Sequence, residues 1–240
     1  MKNALLAVLI LVAFAARAQA PAGNPVPTKD EPHHHLVLEN SYVRVLHFEL
    51  PAHEATLLHA HDLPYVSVAL GPGDFINAVV GKPETHLTPA DGQIGYSKGG
   101  FAHIVRTDAG TPFQNFTVEL LKPQGTVRNR CAKIVADLPV EECAGAVAGA
   151  NMPVLETDEI KVESGTLAAQ EKRAELASET PRVYLVLDKS ELTITIPGLG
   201  DKTLHAGEAF WLPAGAAPAL ANPGTEVARF VVLSFKDGGK

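Results

Sequence analysis

Residues 42–50 read Tyr-Val-Arg-Val-Leu-His-Phe-Glu-Leu, an alternation of apolar and mixed positions built from β-formers throughout. Side chains two apart leave the same face of a strand, so the spacing predicts a strand, and Pro51 ends it. Residues 56–61, 64–70, 75–80, 84–87, 93–96, 102–107 and 113–121 give further short strands, divided by turn signals such as Gly71-Pro72-Gly73-Asp74. No helical periodicity of useful length interrupts them. Residues 167–177, Leu-Ala-Ala-Gln-Glu-Lys-Arg-Ala-Glu-Leu-Ala, carry helix-formers, but their place in the strand series reads as a strand followed by a short insertion. Many short strands with glycine and proline turns predict an all-β sandwich or barrel.

Within that pattern, His59 and His61 lie one residue apart and leave a strand on the same face, where two imidazoles can grip one ion. His103 follows a glycine-spaced segment, 92–103, that suggests a tight turn between strands and brings a third imidazole to the pair. Tyr65 shares the odd-numbered parity of His59 and His61 and faces inward with them, whereas Glu54 and Asp62 fall on the other face. His33, His34 and His35 cannot all face one way on a strand, and they read as residues of an exposed terminus. His47, His86 and His205 match no ligand pattern and read as surface residues, as does Lys98.

Residues 36–125 resemble the cupins, small jelly-roll β-barrels. Their first motif is a glycine, five residues, HxH and a glutamate three or four residues on; here His53 stands at the glycine, His59 and His61 match, and the glutamate slots hold Tyr65 and Val66. The second motif is matched by Gly92, Gly100 and His103, with Lys98 in place of a proline. The frame then repeats. Gly165, five residues and Glu171-Lys172-Arg173 follow the first motif, while Gly207, Pro213, Gly215 and Pro218 follow the second. The resemblance implies two tandem cupin jelly-roll β-barrels, a bicupin: a metal-binding cupin over 36–125, a linker over 126–152 and a degenerate cupin over 153–236. In the second, Glu171, Arg173 and Pro218 take the ligand positions, so it looks metal-free, with Phe210, Trp211, Phe230 and Phe235 filling it.

The resemblance also carries chemistry. It implies a divalent metal held by His59, His61 and His103, with Fe(II) the first choice and zinc or another transition metal equally compatible with imidazole ligands. Without the glutamate, three neutral imidazoles leave the ion's charge unopposed and favour an anionic ligand. Three-histidine cupins include thiol dioxygenases and diketone-cleaving dioxygenases, so the resemblance implies a dioxygenase-like oxidoreductase on a small anionic or enolisable substrate, with Tyr65 as the catalytic group. An exported cupin that binds a ligand or metal without turning it over is the alternative. Cupins often dimerise, which leaves a homodimer open.

Composition adds the compartment. Lys2, the apolar residues 4–16 and Ala18-Gln19-Ala20 form a secretory signal peptide over 1–20, which places the mature chain in the periplasm or outside the cell. Its apolar run is shorter than the roughly 18 to 20 residues of a membrane span. Residues 21–35, rich in proline and small polar residues, read as a disordered N-terminal arm. Without Lys2 and Arg17, 18 basic residues face 27 acidic ones, a formal charge of −9, which argues against nucleic acid as a partner. Cys131 and Cys143 would meet an oxidising compartment and form a disulfide that contributes on the order of 3 kcal/mol to the linker's order.

Overall fold

A computed structural model describes residues 23–132, 134–135 and 151–236; residues 1–20, expected to be a signal peptide, and Cys143 lie outside them. The first half runs β1 (Val26–Pro27), β2 (His34–Glu39), β3 (Val43–Leu50), β4 (His59–His61), β5 (Tyr65–Ala69), β6 (Phe75–Val79), β7 (Thr85–Leu87), β8 (Ile94–Ser97), β9 (Phe101–Arg106) and β10 (Phe113–Leu120). Two short strands, β11 (Arg128–Asn129) and β12 (Ile134–Val135), follow in the linker. The second half comprises β13 (Met152–Glu156), β14 (Ile160–Leu167), β15 (Lys172–Ala174), β16 (Arg182–Val186), β17 (Glu191–Ile196), β18 (Gly200–His205), β19 (Ala209–Leu212), β20 (Ala219–Ala221) and β21 (Ala228–Phe235). The helix-formers of 167–177 yield β15 and turns. None of the described helices is long and apolar enough to cross a membrane.

Each half is a barrel of two sheets. The first pairs β1-β4-β9-β6-β7 with β12-β8-β5-β10-β3-β2; the second pairs β11-β13-β14-β21-β16-β19 with β15-β20-β17-β18. The two six-stranded sheets pack against each other, and their strands are consequently apolar on the outer face. Val43, Val45, Val66, Val68, Phe116 and Val118 meet Val162, Val183, Leu185, Val231 and Leu233 in one buried cluster. Tyr42, Trp211 and Phe235 close its edge, with ring centroids 5.4 to 5.7 Å apart. His47, read as a surface residue, is half-buried beside Gly207 in this seam, because its odd parity follows Val43 and Val45.

The inner faces differ, and this difference sets the two barrels' capacities. In the second, Leu167, Tyr184, Val186, Leu192, Ile194, Leu204, Leu220 and Phe230 fill the interior as an ordinary apolar core. Phe210 packs with them, whereas Trp211 and Phe235 face the seam instead. In the first, apolar packing is confined to Phe48, Leu50, Ala69, Val105 and Phe113 at one end, and the inner positions of β5 and β10 are Tyr65, Ser67, Asn115 and Thr117. Small polar side chains cannot fill such an interior, so a cavity of about 180 Å³ remains.

Two expectations fail here. Residues 24–35 are an ordered strap: β1 pairs in parallel with β4, a short 3-10 turn covers Thr28–Asp30, and Thr28 Oγ1 donates to the Ala60 carbonyl at 2.7 Å. Proline-rich composition suggested disorder, but the strap gains backbone partners along the strand that carries His59 and His61. The repeat frame counted from Gly165 is also displaced. Phe230 pairs Gly165 as Asn115 pairs Phe48, and the left-handed turn at His53 (φ 60°) recurs at Gln170 (φ 60°). Glu175 N bonds the Pro218 carbonyl, so Glu175 rather than Glu171 faces Pro218 as His59 faces His103.

Candidate metal centre

Period-two geometry does what the sequence reading requires of it. His59 and His61 leave β4 on one face, each at most 3% exposed, and β9 pairs His59 directly with His103, 6% exposed. The turn before β9 needs glycine. Gly99 has φ +71°, and a Cβ there would lie 2.3 Å from the Leu63 carbonyl, while Gly100 N bonds the His61 carbonyl at 2.6 Å.

The three rings converge on one point. His103 Nε2 lies 2.9 Å from His59 Nε2 and 3.1 Å from His61 Nε2. Outer partners decide what those nitrogens carry. His59 Nδ1–H donates to the Leu57 carbonyl at 3.0 Å, and His103 Nδ1–H donates to Asn77 Oδ1 at 2.6 Å. Each ring has thereby committed its one proton, so the Nε2 of His59 and of His103 are bare lone pairs facing each other. Two acceptors 2.9 Å apart repel unless a cation lies between them. Burial also keeps the rings neutral: it pushes His59 down to about 4, His103 to about 3 and His61 well below its ordinary value, with the neighbouring histidines adding to the effect at His61 and His103.

The donor set therefore fits a divalent metal. Nitrogens about 2.1 Å from one ion lie about 3.0 to 3.4 Å apart, so the two observed separations of 2.9 and 3.1 Å are close to what a shared ion requires.

A fourth histidine belongs to this cluster, contrary to the reading of 33–35 as an exposed terminus. His34 opens β2 facing inward, 7% exposed, and a ring nitrogen lies within 4.8 Å of ring nitrogens on His59 and His61. Alternation explains it: His35 points out, and His34, which pairs Phe48, points in. Its Nδ1–H donates to Glu31 Oε2 at 2.8 Å, which leaves its other nitrogen free to act as a ligand. The Glu31 side chain is fully buried and also accepts from His33 Nδ1, His33 N and Leu57 N at 2.9, 3.0 and 3.2 Å. Burial by itself raises a carboxyl pKa, but the hydrogen bonds from His34 and His33 outweigh it and hold Glu31 at about 2.

Tyr65 faces the cavity as its parity requires. Its ring stacks on His61 with centroids 4.5 Å apart, and burial pushes its hydroxyl up to about 12 despite a hydrogen bond with Ser97. It is a neutral O–H, not a phenolate. Glu54 and Lys98 are exposed, and Asp62 is exposed beyond β4. The cavity is walled by Phe48, Phe75 and Phe113 and offers Ser67, Asn77 and Asn115 as hydrogen-bonding groups.

No protein-family model matches the sequence, and no curated protein matches it. Solved structures do match in shape. AerE from Microcystis aeruginosa superposes with a TM-score of 0.57 at 12% identity, over 86% of this chain and 99% of that one. A salicylate 1,2-dioxygenase from Pseudaminobacter salicylatoxidans gives 0.54 at 13% identity, over 81% and 71%. An oxalate decarboxylase gives 0.55 at 12% identity, over 82% and 70%. At these identities the likeness is one of fold, and it agrees with the strand order and with the glycine and histidine spacings: the chain is an all-β protein of two tandem barrels with the cupin fold.

Proposed function

We propose that the first barrel is the active site of an exported, metal-dependent oxidoreductase of dioxygenase type, acting on a small anionic or enolisable molecule. The observation that carries this reading is the pair of bare Nε2 atoms of His59 and His103, 2.9 Å apart, with His61 Nε2 beside them. His59, His61 and His103 hold the ion and His34 supplies a fourth imidazole. A divalent ion there contributes Lewis acidity and, as iron, redox chemistry. Iron is the first choice because the three-histidine cupins that this site resembles include iron-dependent dioxygenases, although imidazole ligands suit zinc and other transition metals equally.

The chain's own residues set what can bind. The neutral rings of His59, His61 and His103 contribute no charge, and the buried Glu31 carboxylate would offset only one of a divalent ion's two charges, so an anionic ligand is electrostatically favoured. A dry cavity of about 150 Å³ accommodates benzene, so about 180 Å³ suits a single-ring or short-chain molecule. The likeness to an enzyme named for salicylate supports a ligand of that size and charge. Tyr65, neutral and anchored by Ser97, can donate its hydroxyl proton in a hydrogen bond to a ligand oxygen and orient it, while Phe48, Phe75 and Phe113 offer an apolar wall for the rest of the ligand. Export rests on residues 1–20, and a Cys131–Cys143 bond on that compartment; intact mass with and without reductant tests the bond.

The test is oxygen uptake by iron-loaded protein with thiols, diketones and phenolic acids as separate substrate classes. One class should drive uptake, and His103→Ala should abolish it. Saturable binding of a class without uptake would leave a binding protein, and uptake unchanged in His103→Ala would overturn the site.

A further inference from the structure

The second barrel holds a polar cluster where the first holds its histidines. Bonds from Val186 N to the Glu208 carbonyl and from Gly207 N to the Val186 carbonyl repeat those of Ala69 N to Gln93 and Gly92 N to Ala69, which puts Arg182 in the place of Tyr65 and Tyr184 in that of Ser67. Glu175 faces Pro218, and Asn151 lies against Gly165, the counterpart of Phe48 beside His34. Glu175 accepts from Arg182 Nη1 at 2.9 Å, Arg173 Nη2 at 3.2 Å and Tyr184 Oη–H at 2.6 Å. Arg173 Nη2 also donates to Asn151 Oδ1 at 2.8 Å, and Arg182 Nη2 to the Ala216 carbonyl at 3.1 Å.

The cluster is short of acceptors. Two guanidinium groups share one carboxylate, and both Arg173 Nη1 and Arg182 Nε are buried with no hydrogen-bond partner. Arg182 is 8% exposed, so water screens its charge poorly. The cluster borders a cleft of about 340 Å³, lined by Arg182, Glu175, Asn151 and the Ser178 and Thr180 segment, with Lys161 and Lys236 at its rim. Each rim lysine has a carboxylate near it, Glu163 at 2.8 Å and Glu156 at 3.8 Å, so one positive charge, that of the arginine pair, is left over. Arg173 and Arg182 also lie over the Phe230 and Tyr184 rings, 5.7 and 5.8 Å from the centroids, contacts that hold the guanidinium groups in place but supply no counter-charge.

We propose that this cleft is an anion site for a small monocarboxylate, seated against the Arg182 guanidinium group, with Arg173 behind it on the shared Glu175 carboxylate, and independent of the first barrel. A planar guanidinium matches a carboxylate in shape and hydrogen-bond direction. One surplus charge balances a monocarboxylate and leaves a phosphate dianion half-compensated.

The experiment is isothermal titration of the full mature chain with benzoate, acetate and inorganic phosphate, using a His103→Ala background to silence the first barrel. The expected result is saturable binding of a carboxylate in that background, with phosphate at least tenfold weaker. Arg182→Lys, which keeps the charge but loses the planar fork, should weaken the carboxylate at least tenfold. Lys161→Ala, at the partly exposed rim, should weaken it by severalfold and remains informative if Arg182→Lys fails to fold. No saturable carboxylate binding, phosphate binding tighter than either carboxylate, or affinities unchanged in both variants overturns the proposal.

Discussion

Glu31→Gln removes the buried charge behind His34 while keeping the side chain's shape, and its consequence for metal binding can be worked out from the geometry. Glu31 Oε2 is 2.8 Å from His34 Nδ1; the width of the ring and a metal–nitrogen bond, each about 2 Å, put the charge roughly 7 Å from an ion held by the other nitrogen. Charges of −1 and +2 at that separation attract by about 5 kcal/mol at an effective dielectric constant of ~20, an upper figure because the ring and neighbouring dipoles share the field. Loss of an outer partner of a ligating histidine typically costs ~10- to 100-fold in affinity, or about 1.4 to 2.7 kcal/mol. The expected result is therefore zinc affinity ~10- to 100-fold lower, read by competition with a chromophoric chelator. Affinity within twofold of the wild type in Glu31→Gln, with binding abolished in His103→Ala, would refute the reasoning. The same variant has a second signature in metal-free protein. A carboxyl lowered from 4.5 to about 2 contributes on the order of 3 kcal/mol that is present above pH 4.5 and lost as pH falls toward 2. Acid unfolding of Glu31→Gln should be flatter across that window.

Three further outcomes follow from particular contacts. Tyr65→Phe keeps the stack on His61 and should retain the metal while lowering turnover by about 100-fold; metal loss would instead assign Tyr65 a ligand role. Gly99→Ala, with φ +71° and a Cβ 2.3 Å from the Leu63 carbonyl, should cost at least ~1 to 3 kcal/mol in thermal or urea unfolding; an unchanged midpoint would show that the turn is not constrained. Leu233→Ala empties a fully buried position in the core shared by both barrels and should cost ~2 to 5 kcal/mol. It should lower a single calorimetric transition, and two separated transitions would contradict a common core.

Much of this was legible in the residues. The strands of the first barrel could be read because their alternation is strict, and the same period of two aims His59 and His61 inward and brings Tyr65 with them. His103 was legible through the glycines that its turn requires. His34 was not, since three adjacent histidines after a proline-rich segment give no strand pattern, and the hydrogen bond to Glu31 that fixes its ring depends on a buried carboxylate that composition argues against. The only hint was the parity that forces at least one of the three inward. The second barrel's frame was misjudged for a related reason. Its left-handed turn falls on Gln170 and the first barrel's on His53, and neither residue advertises a positive φ as glycine would. Leu192, Ile194 and Ile196 on β17 help to fill that barrel, which a reading from Phe210, Trp211, Phe230 and Phe235 passes over, and the surplus of arginine over carboxylate inside it depends on Glu175, rather than Glu171, standing opposite Pro218.

The most direct test is the metal content of freshly purified mature protein, measured by plasma mass spectrometry without added metal, for the wild type and for His59→Ala, His61→Ala and His103→Ala. Close to one transition-metal ion per chain in the wild type, falling toward zero in each variant while the far-ultraviolet circular dichroism keeps its β-sheet form, is the expected result. A wild type that neither carries an ion nor takes one up on reconstitution, or variants that retain it at full occupancy, would contradict the account.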